Sequence, residues 1–317
     1  MNNTIFKKLG IATIVAVYVL ILVGGVVRAS GSGMGCPDWP KCFGTWIPPT
    51  SLDQLPSNYQ EIFGEKLKGE VEFNVYKTWT EYINRLLGVL IGFLIFLTFA
   101  SSIYYFWKKD RIVVYITFAA FILVGFQGWL GSVVVATELL PWMVTTHLLV
   151  AVVIVLSLIW AIVRAQRESF ESISSSPELN FSIFLLFGLS LGQFILGTRV
   201  REEIDKFNLS GQLRNTWIDQ LGGSFYIHII VALFVVALHW FFYKKSVAKI
   251  GKQLNSFFTL LVIMVLTSFV TGVILGVFDM SAYAQPLHLT FATIILGLQF
   301  SIYLINNKGN LLGEVNG

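Results

Sequence analysis

Charge is what this chain lacks most: Asp, Glu, Lys and Arg make up 13% of its 317 residues, while 55% are hydrophobic. A soluble domain carries roughly twice that charged fraction, so the composition excludes an ordinary water-soluble protein and points to a bilayer. Cysteine and histidine are scarce too, at two and four residues. No clustered Cys or carboxylate supplies the three or four ligands that zinc requires. The net charge of +4 follows from how basic residues are distributed along the chain and makes no case for nucleic acid.

What is abundant is apolar sequence in long runs. They cover Ile11 to Val27, Leu86 to Trp107, Ile112 to Thr137, Leu139 to Val163, Leu179 to Thr198, Leu221 to Tyr243, Phe257 to Phe278 and Met280 to Asn306. Each approaches the roughly 20 residues that span ~30 Å of hydrocarbon. The expectation is an all-α membrane protein of eight transmembrane helices, with both termini on one side. Lys7, Lys8, Lys108, Lys109, Arg111, Arg164, Arg167, Lys244, Lys245, Lys249 and Lys252 fall before the first run or in the links after the second, fourth and sixth. By the positive-inside rule that side is cytoplasmic. The opposite loops are longer and acidic, with Glu61, Glu65, Glu70, Glu72, Glu202, Glu203 and Asp205. The first run is long and leads into a Gly-rich loop, so it reads as a retained helix and not as a cleaved signal peptide.

That loop, about residues 29–78, holds both cysteines. Cys36 and Cys42, with five residues between them on the outer side, most simply close a structural disulfide, with a redox-active pair as the alternative. After it, Glu81, Asn84 and Arg85 recur at spacings of three and four, hence on one helical face. An ionisable group at membrane depth is by default a functional-site hypothesis; the plainer reading is a Glu81–Arg85 ion pair anchoring the helix.

Internal repetition organises the rest. Tyr82-Ile83-Asn84 at one helix start is matched by Tyr226-Ile227-His228 at another. Gln127-Gly-Trp-Leu-Gly131 is matched by Gln193-Phe-Ile-Leu-Gly197, with a relative in Thr271-Gly272-Val-Ile-Leu-Gly276. These phrases predict duplication of a four-helix unit, giving two pseudo-symmetric bundles over residues 1–170 and 171–317. Three of the histidines, His147, His228 and His288, then fall near the outer starts of even-numbered helices; His239 lies deeper, near Lys244, and reads as interfacial. Two imidazoles at equivalent places in a bundle core suit axial ligation of a heme. In the first half His147 has Asn84 as its counterpart. A carboxamide is a weak iron ligand, so one axial face of a heme held there stays open, next to the Glu81 carboxylate.

These residues resemble the heme A synthase family, membrane enzymes that oxidise a methyl group of heme O to the formyl group of heme A. The resemblance covers nearly the whole chain and is carried by Gly31-Ser-Gly-Met-Gly-Cys36 to Cys42, Glu81-x-x-x-Arg85, and His147, His228 and His288. It implies a heme b cofactor on His228 and His288, a substrate heme O in the first half with His147, Asn84 and Arg85 about it, and Glu81 as the catalytic residue. Propionates of the substrate are expected near Arg85 or Arg28. The outer cysteine pair is typical of one branch. This chain departs from the family's Glu-x-x-His-Arg motif, having Asn84 in place of the histidine. A bacterial inner-membrane location is implied, with heme O synthase and an unidentified electron donor or acceptor as partners beside the bilayer. The rival readings are a quinol-linked diheme electron carrier, which wants two saturated hemes, and a heme transporter or chaperone, which has no use for Glu81.

Overall fold

The computed structural model describes residues 3–64, 72–170, 177–246 and 250–312. Glu65, Glu70 and Lys249, used above for orientation, and the start of the second half at residue 171 lie outside the described residues. Among the described residues, eight helices are long and apolar enough to cross a membrane. They are α1 (Thr4–Ala29), α3 (Val75–Phe106), α4 (Arg111–Ala136), α5 (Pro141–Ala165), α6 (Pro177–Leu209), α8 (Gly223–Ser246), α9 (Lys252–Val277) and α10 (Ala284–Asn306). Short helices α2 (Tyr59–Phe63), α7 (Trp217–Gln220) and α11 (Lys308–Leu312) complete the set. Eight such helices and almost no other regular structure make this a multi-pass membrane protein.

Helix ends follow local chemistry. The Asn74 side chain accepts from Lys77 N at the start of α3, Asp110 accepts from Ile112 N at the start of α4, and Pro141 occupies the first turn of α5, where its missing N–H costs nothing. α6 runs about three turns beyond the apolar stretch that announces it, carrying Glu202, Glu203 and Asp205 within the helix and not in a loop. The extra turns are sustained by pairing. Arg199 bonds Glu202 at 3.1 Å, Arg201 and Arg28 both bond Asp205, and Glu203 accepts from Gly222 N at the start of α8.

Helices α1, α3, α4 and α5 pack in a ring, each against the next; α6, α8, α9 and α10 form a second ring in the same order. α10 lies between the rings, against α1 and α5 as well as α6 and α9. The α4–α5 and α9–α10 hairpins turn alike. Glu138-Leu139 and Asp279-Met280 adopt left-handed backbone conformations, and the second residue of each pair returns an N–H to a carbonyl of the preceding helix. The described termini share a face: Asn3 bonds the carbonyl of Ala165, and Arg164 bonds that of Leu311. Arg164 and Arg167 also converge on Asp110 there, at 2.9 and 2.6 Å.

Candidate functional site

On the opposite face the Cys36–Cys42 disulfide is formed and fully buried. Its loop sits directly on the first turns of α3. Gly35 approaches so closely that a side chain there would strike the backbone of Lys77 and Thr78. Thr78 Oγ1 donates to Gly35 O at 2.9 Å, and the Cys36 N–H donates to Glu81 Oε2 at 2.9 Å. Glu81 is 4% exposed, and its other oxygen takes two bonds from Arg85, at 2.5 and 3.2 Å. Arg85 spends its remaining donors on the carbonyls of Asp38, Lys41 and Cys36. All five guanidinium N–H groups are thus engaged. Arg85 therefore staples the loop to the carboxylate and offers no free charge to a propionate, against the expectation from sequence. The ion pair of the plainer reading is present, but it is buried under a disulfide loop and not spread over an interface.

One turn along α3, Asn84 faces Gly24 of α1, with Oδ1 3.9 Å from where a Cβ on that glycine would stand. This oxygen is buried and has no hydrogen-bond partner among the described residues. The arrangement recurs on the other three helix pairs. His147 of α5 faces Gly131 of α4, His228 of α8 faces Gly197 of α6, and His288 of α10 faces Gly272 of α9, at 3.5, 3.3 and 3.2 Å from the corresponding Cβ positions. The last two leave no room for a side chain without moving an imidazole. Of the two glycines in the related phrase on α9, Gly272 and not Gly276 meets the histidine.

Each histidine is also held from the residue four before its glycine, two of them at the backbone carbonyl and His288 at its ring. Gln127 Nε2 donates to His147 O at 2.8 Å, Gln193 Nε2 to His228 O at 2.9 Å, and Ser268 O accepts from His288 Nδ1 at 2.9 Å. Thr271 Oγ1 lies 3.1 Å from the same Nδ1. These polar partners were missed as functional residues by sequence reasoning, although Gln127 and Gln193 had surfaced in the repeated phrase.

His228 and His288 face one another across a cavity of about 430 Å³, lined mostly by apolar residues of α6, α8, α9 and α10. Their ring centres are 6.2 Å apart and the rings are inclined at 74°. Two imidazoles on one metal, at roughly 2 Å per bond, place their ring centres roughly 6 Å apart. With Nδ1 of His288 committed to Ser268 O, Nε2 is the nitrogen left to ligate, the usual way a second partner fixes a ligating histidine. His228 Nδ1 and, in the first ring, His147 Nδ1 are buried without partners among the described residues. A planar iron porphyrin fits the second ring on these grounds. Among the described residues no group of three or more His, Cys, Asp or Glu is poised to hold a bare metal ion.

Two sequence expectations need correction. Arg28, expected near the propionates of a first-half heme, instead lines the second-ring cavity, where it bonds Asp205 at 2.5 Å. His239 is 1% exposed and belongs to the core, not to an interface. Gln299 Nε2 donates both to His239 Nε2 and to Ser190 Oγ, at 2.9 Å each, while His239 Nδ1 bonds Val235 O. A lysine one turn away in sequence suggested an interface, but that contact lies across helices and sequence spacing does not display it.

The family model for COX15-CtaA, described as cytochrome oxidase assembly protein, matches residues 7–300. Among curated proteins, the chain is similar to a heme A synthase of Bartonella tribocorum, at 24% identity over 313 residues, covering 87% of this chain and 85% of that protein. A heme A synthase of Shewanella oneidensis is 29% identical over 187 residues, covering 58% and 53%. One of Allorhizobium ampelinum is 29% identical over 219 residues, covering 64% and 57%. The matches thus span little more than half the length of the last two relatives and most of the first.

Proposed function

The chain belongs to the COX15-CtaA family of cytochrome oxidase assembly proteins, and from that premise we propose that it is a heme A synthase, oxidising a methyl group of heme O to a formyl group by successive hydroxylations. The reading takes residues 1–170 and 171–317 as two pseudo-symmetric halves, with both termini on the cytoplasmic side of a bacterial inner membrane. The observation that carries it is the opposition of His228 and His288, with ring centres 6.2 Å apart over an apolar cavity.

In this reading the second half holds a resident heme b. Held by these two imidazoles, such a heme would supply one-electron transfer. The chain's own part is to fix those imidazoles: Ser268 O orients His288 through Nδ1, Gln193 clamps the His228 backbone, and Gly197 and Gly272 leave room for the rings beside α6 and α9. The first half takes heme O as substrate. His147 would be the residue that holds its iron, and Asn84, whose Oδ1 has no partner among the described residues, would be a weak ligand at best. Glu81, fixed by Arg85 and the Cys36 N–H, contributes a negative charge set in place before substrate arrives, suited to stabilising positive charge or taking a proton as the methyl is oxidised. An electron partner and a heme O synthase complete the pathway's requirements at the membrane.

The test is pigment extraction from a bacterial host that makes heme O and lacks heme A, with and without this chain. Heme A appearing only with the chain is the expected result. Heme O unchanged, with the chain folded and heme-loaded, would transfer the reading to the electron-carrier class.

A further inference from the structure

The glycines that face the ligand positions are followed four residues later, on α1 and α6 alone, by arginines: Gly24 by Arg28 and Gly197 by Arg201. A spacing of four puts each arginine on the ligand-facing side one turn nearer the loop face. The two do not serve separate rings. Arg28 crosses to meet Arg201, whose Nη2 donates to the Arg28 carbonyl at 3.2 Å. Both guanidiniums share one carboxylate, Asp205, at 2.5 and 2.7 Å. Arg201 Nη1 also donates to Gln285 Oε1. Arg28, Arg201 and Gln285 line the same cavity as His228 and His288.

The balance of this cluster is incomplete. Two positive charges are set against one negative charge at the rim of a cavity with apolar walls, and Arg201 Nε is buried with no partner among the described residues. Arg214, whose guanidinium lies over Trp217 and bonds Met280 O, adds a further positive charge and no acceptor. An excess guanidinium in such a place is costly unless an anion arrives. Arginine's planar fork matches carboxylates in particular.

We propose that Arg201, with Arg28 reaching over from the first half, forms the carboxylate subsite of the second-half cavity and holds the propionate edge of the tetrapyrrole bound by His228 and His288. The assignment rests on the heme reading of that cavity. It gives the resident heme a fixed orientation, with its charged edge toward the loop face. It also makes one helix of the first half part of the wall of the second half's site.

Heme-stripped full-length chain in detergent is titrated with hemin and with hemin dimethyl ester, following the Soret band and the low-spin bands. A charge-assisted hydrogen bond to a carboxylate is worth about tenfold or more in affinity. Native chain should therefore bind the free acid at least about tenfold more tightly than the ester. Arg201→Gln should erase most of that preference by weakening hemin while leaving the ester within about twofold, and Arg201→Lys should restore part of it. Equal affinities of native chain for acid and ester would overturn the subsite while leaving the heme reading intact. So would Arg201→Gln weakening both ligands equally, the mark of a merely structural arginine. If His228→Ala leaves the hemin titration untouched, the heme reading of the cavity fails and the subsite falls with it.

Discussion

Asn84 is an amide where its counterpart on α8 is an imidazole, and the two occupy equivalent surroundings, each against a glycine of the preceding long helix. Its buried, unpartnered Oδ1 has no structural duty that another residue must take over, so the position tolerates a test by substitution. Asn84→His is expected to turn first-half heme O from open to six-coordinate and low-spin, and to slow product release several-fold, read by the absorption and EPR spectra of chain loaded with heme O. An unaltered spectrum with heme O bound would put Asn84 off the iron. The register of Asn84 with His228 was legible in sequence because both sit in the same Tyr-Ile-x phrase. The partner of Arg28 was not, because Asp205 lies 177 residues away and only folding brings the two together. Arg85 was legible as a partner of Glu81 at helical spacing, yet its use of three loop carbonyls was invisible, since backbone acceptors leave no mark in a sequence.

At the scale of elements, long apolar runs announced every crossing helix, because hydrocarbon forces the backbone to satisfy its hydrogen bonds internally over a fixed thickness. Helix ends were less legible: α6 outruns its apolar stretch on an ion pair with α1 and a hydrogen bond from the backbone entering α8, a tertiary effect. The packing of each histidine-bearing helix on the long helix before it yields a sharp test. Gly272→Ala puts a methyl 3.2 Å from Cε1 of His288, which is itself tethered through Nδ1, so ring and helix cannot both stay in place. Resident-heme occupancy, read as the ratio of Soret to protein absorbance, should fall several-fold. Gly188→Ala on α6, where nothing lies within 4 Å of the new carbon, should leave occupancy unchanged and add about 1 kcal/mol of helix propensity. Equal responses from the two variants would mean that glycine is present at 272 for reasons other than the imidazole.

For the whole molecule, the two rings pack alike, and the proposed function divides the work between them. The second ring keeps two facing imidazoles; the first keeps one, an amide and a buried carboxylate tied to a disulfide loop. His228→Ala should abolish the low-spin b-type spectrum and heme A formation together, since the electron relay is lost with its ligand. For Glu81 the informative change is Glu81→Gln, because Glu81→Ala would also strand the Cys36 N–H and the Arg85 fork, and breaking a buried pair by deleting one partner costs about 3–5 kcal/mol. The amide keeps the side chain's size and one acceptor oxygen, enough for the Cys36 N–H or for Arg85 but not for both, while its charge is gone. Glu81→Gln should leave the b-type spectrum intact and still bind heme O, yet lower heme A yield by about a hundredfold or halt at the hydroxylated product, because a charge acting in the transition state affects turnover more than binding. Pigment extraction together with reduced-minus-oxidised spectra of the two variants decides the matter. Near-normal heme A from Glu81→Gln, or loss of the resident heme in that variant as in His228→Ala, would mean that the rings do not divide the work and that Glu81 serves the fold of the loop alone.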